Sequence, residues 1–169
     1  MLNGKKVLVL GLAKSGQAAV ELLTALHATI TVNEYASREK IACYDEYVHR
    51  GIEMITGGHP QELFERDFDF VVKNPGINYH KPFVLRLKER GIPVYTEIEL
   101  AYQVAKMQNY IAITGTNGKT TTVTLIDEIL KHAHHLSCLA GNVGIPYSSC
   151  VLDNDLLHRD GYDVVLEMS

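Results

Sequence analysis

Short apolar runs of strand length alternate along this chain with stretches whose apolar residues recur every three or four positions, and this rhythm restricts the fold more than any other feature. Val7 to Leu10 is a continuous apolar run ended by Gly11, and from Gln17 onward Ala18, Ala19, Leu22, Leu23 and Leu26 fall at helical spacing. "TITVNE" supplies a second β-rich run, after which Ser37 can cap a helix through about His49. A third run, Ile52 to Ile55, stops at Gly57-Gly58, and a fourth, "DFVVK", stops at "NPG". A helix through Leu87 and a short "IPVY" follow. Strand, helix, strand in this order predicts an α/β chain that opens with a Rossmann-like parallel sheet covered by helices.

"TEIELAYQVAKMQ" predicts a capped helix from Thr96 that ends before Asn109, which closes a first domain over residues 1–107. A new unit then begins. It has a strand from Tyr110 to Ile113, a Gly-Lys loop, a helix to about His134, and a strand near Ser137 to Leu139. The "GNVG" turn, a less regular stretch and the strand "DVVLE" complete it. A parallel sheet needs cover on both faces, and about 60 residues are too few to complete a domain of this kind. Residues 108–169 are therefore expected to be the truncated start of a P-loop ATPase-type α/β domain in a longer protein.

Composition narrows the functional classes. Apolar residues make up 46% and charged residues 21%, with net charge −4 and no sustained Lys/Arg block, so a nucleic-acid-binding face is not expected. The first apolar run is too short to cross a membrane, and Lys14 with its neighbouring glycines interrupts any signal-peptide core. Cys43, Cys138 and Cys150 are odd in number and lack metal-ligand spacing, so reduced thiols in a cytoplasmic protein are expected. His132, His134 and His135 sit at a helix end that favours basic side chains anyway, and no metal site is expected from them. "CYDEYVHR" is expected to be a half-buried helix.

Four loops carry candidate chemistry. "GLAKSG", Gly11 to Gly16, joins a strand to a helix, so its backbone amides and the helix N-terminus suit an anion. Ala13 stands where a dinucleotide fingerprint has its middle glycine, and both a diphosphate site and a tight βα turn fit the loop. Asn33 and Glu34 end the second strand about 20 residues past these glycines, where such folds meet ribose or base. Asn74, Pro75 and Gly76 end the fourth strand, as a ligand loop or an ordinary turn. "TGTNGKTTT" has the strand, Gly118-Lys119 and Thr120 of a phosphate cradle. Its first glycine, however, sits at Gly115 and not at Ile113, where the usual spacing would place it. Glu167 ends the strand "DVVLE", either as a metal-binding acid beside that loop or simply as the polar end of a strand.

"TGTNGKTTT" with its shortened spacing, followed in order by "AGNVGIP" and "VLEMS", resembles the motifs of the Mur ligases, the ATP-dependent amide-forming enzymes of peptidoglycan precursor synthesis. "GLAKSG", "NPGI" and "TEIEL" are most similar to the members that add D-glutamate. The resemblance implies a UDP-binding domain, a central ATPase domain and a C-terminal domain, of which this chain would carry the first and the opening of the second. It implies that D-glutamate is joined to UDP-N-acetylmuramoyl-L-alanine through an acyl phosphate, with ATP as co-substrate and Mg²⁺ as cofactor, in a cytoplasmic monomer. Gly115, Thr116, Asn117, Gly118, Lys119, Thr120 and Thr121 would hold ATP, with Lys119 on the phosphates and Thr120 and Glu167 on Mg²⁺. Lys119 and Glu167 would be the catalytic pair. Lys14, Ser15, Asn33, Glu34, Asn74, Pro75 and Gly76 would line the UDP-substrate site, and Asn142 would lie at the junction of substrate and nucleotide. Some relatives have Asp where Asn33 stands, which leaves open the group that meets uracil or ribose. Two alternatives are another Mur ligase or a folylpolyglutamate-synthase-like ligase, and a non-catalytic nucleotide-sugar-binding module using residues 1–107.

Overall fold

The computed structural model describes residues 2–168. Ser169, the last residue of "VLEMS", lies outside them. Contacts divide the chain into two units, Met1–Leu100 and Ala101–Ser169. The division falls inside a helix, seven residues before the boundary expected at 107 (107 − 100).

The first unit is built on five parallel strands: β1 (Lys6–Leu10), β2 (Thr29–Glu34), β3 (Glu53–Thr56), β4 (Phe70–Lys73) and β5 (Val94–Tyr95), in the spatial order β3-β2-β1-β4-β5. Strands β1 and β4 are near-continuous apolar runs because both faces of a central parallel strand are covered. Leu8 and Leu10 pack on one face with Leu63, Phe64, Val71, Val84 and Leu87. Alternation sends Val7 and Val9 to the other face, where α1 (Lys14–Ala25) buries Ala19, Leu22 and Leu23. Pro82 opens α3 (Pro82–Glu89) at the first turn, where its missing amide costs nothing.

The helix expected from Ser37 to His49 is interrupted. A 3-10 turn at Arg38–Lys40 is followed by extended Ile41 and then α2 (Tyr44–His49), which buries Tyr47. Ser37 makes no side-chain cap, and Ile41, Cys43 and Tyr44 are poor helix formers. The helix predicted at Thr96 forms as α4 (Glu97–Val104) with a capping box: the Thr96 amide donates to Glu99 Oε2 at 2.6 Å, and the Glu99 amide donates to Thr96 Oγ1 at 3.3 Å.

The second unit has three parallel strands, β6 (Asn109–Ile113), β7 (Ser137–Gly141) and β8 (Asp163–Glu167), in the order β6-β8-β7. Helix α5 (Lys119–His132) follows β6. The stretch expected to be irregular contains α6 (Tyr147–Asp153), with Tyr147, Cys150 and Val151 buried.

The cysteine expectation is corrected here. Cys138 on β7 and Cys150 on α6 form a disulfide, with their Cα atoms 6.7 Å apart, and Cys43 is free. The sequence hides this pairing because it depends on α6 folding back onto β7. Thiol titration of the denatured, unreduced chain should count one thiol, rising to three after reduction. With only 12 residues between the cysteines, reduction should cost about 3 kcal/mol of stability in the second unit by the loop-closure relation. Three thiols before reduction would refute the pairing.

Candidate functional site

In the first unit the strand order reverses direction between β1 and β4, and ligands of open parallel sheets bind outside the carboxyl ends of the strands at such a point. The loops after β1 and β4, Gly11–Gly16 and Asn74–Gly76, therefore face the crevice together. Their contacts agree. Asn74 Nδ2 donates to Ser15 Oγ at 3.1 Å, and Asn74 Oδ1 accepts the Gly76 amide at 3.0 Å. Lys14 is exposed at the first turn of α1. Gly16 is required by close packing, because a Cβ there would lie 1.9 Å from the Gly11 carbonyl oxygen.

Asn33 and Glu34 lie at the same edge with distinct surroundings. Glu34 is half-buried and its carboxylate accepts the Leu12 amide at 2.6 Å and the Ala36 amide at 3.0 Å, tying the first loop to the end of β2. Asn33 is fully buried. Its Nδ2 donates to the carbonyls of Ile55 and Gly58, and its Oδ1 meets His59 Nδ1.

Sequence reasoning passed over two residues at this edge. His59 lies between the rings of Tyr35 and Phe83, 5.7 and 4.5 Å away, and burial pulls its pKa down from the ordinary histidine value. Its only sequence signal was the turn "GGHP". Lys73 ends β4 and is 1% exposed, an unusual position for lysine. Burial lowers its pKa from the usual lysine value, and Glu99 opposes the shift.

The second unit assembles the phosphate-loop residues. Pairing aligns Ile113, Glu167 and Gly141 at the carboxyl edge, so Glu167 stands between the loop that follows β6 and the turn that follows β7. The Thr120 hydroxyl donates to Glu167 Oε2 at 2.6 Å. Lys119 Nζ reaches back across the loop to the Gly115 carbonyl at 2.6 Å. Thr116, Asn117, Gly118 and Thr121 are exposed around the N-terminus of α5, whose first amides have no partner within the helix. Thr122 back-bonds to the Gly118 carbonyl at 2.9 Å, so two of the three consecutive threonines have defined local roles. Gly141 is needed where it stands, because a Cβ would meet the Glu167 carbonyl oxygen at 2.3 Å. That approach lets the Asn142 amide donate to the same oxygen at 3.0 Å, leaving the Asn142 side chain exposed.

A hydroxyl beside a carboxylate at the mouth of an amide-rich loop is a hard-oxygen donor set that fits Mg²⁺. The lysine and helix N-terminus fit a polyphosphate. The two units thus define a class: a Rossmann-like parallel sheet, and a parallel-stranded unit whose glycine-rich loop meets an acid at the end of its central strand.

Residues 5–96 match the family described as "Mur ligase MurD-like, N-terminal domain", and residues 113–169 match "Mur ligase middle domain". The chain belongs to the Mur ligase family. It is 50% identical over 147 residues to the UDP-N-acetylmuramoylalanine--D-glutamate ligase of Streptococcus thermophilus strain LMD-9, covering 87% of this chain and 32% of that protein. It is 47% identical over 158 residues to the protein of the same name from Streptococcus agalactiae strain NEM316, covering 92% and 35%. The chain thus spans about a third of the length of these relatives. Among solved structures, the UDP-N-acetylmuramate:L-alanyl-gamma-D-glutamyl-meso-diaminopimelate ligase of Neisseria meningitides aligns with TM-score 0.56 at 16% identity, over 97% of this chain and 52% of that one. A pseudomurein peptide ligase type C from Methanothermus fervidus aligns with TM-score 0.53 at 20% identity, over 98% and 33%. At these identities the two structures bear on the fold alone.

Proposed function

We propose that residues 1–107 form the UDP-substrate-binding domain, and 108–169 the opening of the ATP-binding domain, of a ligase that joins D-glutamate to UDP-N-acetylmuramoyl-L-alanine. The observation that carries the ATP half is the Thr120 hydroxyl on the Glu167 carboxylate at 2.6 Å, in register with the phosphate loop. The substrate half is supported by about 50% identity to ligases of that name.

In this proposal the substrate carboxylate attacks the γ-phosphorus of ATP. The bond to the bridging oxygen breaks, ADP leaves, and an acyl phosphate forms. The amine of D-glutamate then forms the amide bond as phosphate departs, and the ammonium-derived proton is lost to solvent. Lys119 stabilises the charge on the transferring phosphoryl group. Thr120 and Glu167 would hold Mg²⁺, which would supply neutralisation of phosphate oxygens. Gly115, Thr116, Asn117, Gly118 and Thr121 present amides and hydroxyls to the nucleotide. Ser15, Asn74, Pro75 and Gly76 shape the UDP edge with Lys14 supplying charge, while Glu34 and Asn33 organise it from beneath. Asn142 serves the junction of substrate and nucleotide.

No helix among the described residues is long and apolar enough to cross a membrane, and the proposal places the enzyme in the cytoplasm as a monomer. Cys138 and Cys150 are buried, so a reductant there would reach their bond only when the second unit opens locally.

Isothermal titration of the chain with UDP, UDP-N-acetylmuramoyl-L-alanine and Mg-ATP tests this. Binding of all three is expected, with no D-glutamate-dependent phosphate release until the rest of the enzyme is present. UDP binding without Mg-ATP binding would favour the nucleotide-sugar-binding module. A folded chain that ignores both UDP ligands would overturn the substrate-site assignment.

A further inference from the structure

Register sets Asn33, Leu10 and Lys73 in one row across β2, β1 and β4, directly beneath the crevice. The two polar members of this row are 0% and 1% exposed, and each holds main-chain carbonyls: Asn33 those of Ile55 on β3 and Gly58 beyond it, and Lys73 two in the loop beyond β4. For Lys73 these are the carbonyls of Asn74 at 3.0 Å and Ile77 at 2.6 Å, the two ends of the "NPGI" loop. A neutral side chain of similar length would leave these oxygens without a charged donor in a site closed to water, and hydrogen bonds from a charged group are the strong ones. The ring of Tyr79 covers the ammonium at 4.2 Å, and Lys88 from α3 lies on the same ring at 4.4 Å. Glu99, on α4, supplies the opposing negative charge. What Lys73 fixes is functional in geometry. With both ends of the loop pinned, Asn74 reaches Ser15 on α1 and the Gly76 amide closes on Asn74 Oδ1.

We propose that Lys73 is a positioning residue for the UDP-binding edge, whose buried ammonium clamps the Asn74 and Ile77 carbonyls and so locks the "NPGI" loop against the α1 N-terminal loop. The inference rests on the UDP site proposed above. Lysine at this place trades the desolvation of a charge for added rigidity in a loop that is also held by the Asn74 amide on the Leu10 carbonyl and the Ile77 amide on the Asn74 carbonyl. Because its contacts lie within the first unit, its influence is confined to the UDP ligand and does not extend to ATP.

The test is isothermal titration of the 169-residue chain with UDP and, separately, with Mg-ATP, alongside thermal melting, for Lys73→Met and Lys73→Arg. The methionine variant should bind UDP at least tenfold more weakly, with Mg-ATP affinity within twofold of the native value. The arginine variant, which keeps charge and donors, should recover UDP affinity to within about threefold. A purely structural role would lower the melting temperature without this split between ligands. If the methionine variant does not melt cooperatively, Lys73→Gln replaces it, with the same tenfold loss expected. UDP affinity unchanged in the neutral variants overturns the positioning role and leaves the UDP site standing. Equal loss of both ligands overturns it in favour of general destabilisation. A native chain that binds no UDP removes the site assignment and this inference with it.

Discussion

Lys119→Ala should lower turnover of the complete enzyme by at least about a thousandfold while UDP-substrate affinity stays within about threefold. Groups that neutralise charge on a transferring phosphoryl contribute on the order of 10³ or more to kcat. The proposed mechanism gives Lys119 that role, and the residue stands at the head of α5 with its ammonium folded over its own loop onto the Gly115 carbonyl. That internal contact is what an arriving phosphate would displace, so the side chain is already extended across the site. Its loss leaves the backbone of the loop and all of the first unit untouched, hence the separation between turnover and UDP affinity. Steady-state kinetics with phosphate detection, paired with UDP-substrate titration, checks both halves. Turnover within tenfold of native would remove Lys119 from the phosphate role.

The second large effect is on stability. Gly16→Ala should destabilise the first unit by about 3 kcal/mol, the upper range for forcing atoms into a packed site, which for a unit of this size corresponds to a fall of roughly 12–24 °C in melting temperature. The added methyl would lie 1.9 Å from the Gly11 oxygen, an approach that only backbone movement can relieve. That movement would part the β1 and β4 loops, because Ser15, the neighbour of Gly16, is the residue Asn74 holds. A calorimetric scan decides the matter. Melting within 2 °C of native would mean the turn is slack.

Much of this arrangement was legible in the sequence because it depends on local signals. Short apolar runs, three of them stopped by glycine-bearing turns, mark the five strands of the first sheet, and Thr96 with Glu99 marks the start of α4. The shortened Gly-Thr-Asn-Gly-Lys loop and Glu167 were separated by 47 residues yet placed correctly at one edge, since parallel pairing aligns strand ends. Elements stabilised by distant partners were less legible. Helix α6 opens with Tyr147-Ser148-Ser149-Cys150, which has little helix propensity, and is held by burial of Tyr147, Cys150 and Val151. The break at Ile41 is not legible because residues 37–49 read as one helix capped at Ser37. Lys73 and His59 bond to groups that sequence periodicity does not encode: main-chain carbonyls in one case and a buried amide in the other.

Asn33 has a consequence for how this family can drift. Exchange of Asn for Asp is commonly counted as conservative, and here it is not. The amide nitrogen faces the carbonyl oxygens of Ile55 and Gly58, so an acid would set oxygen against oxygen at a position with no solvent access. Burying such an unmatched charge costs several kcal/mol unless the site neutralises it. An acid at position 33 would therefore need donors in place of those two carbonyls, and His59, whose Nδ1 already meets Asn33 Oδ1, is the titratable group beside it.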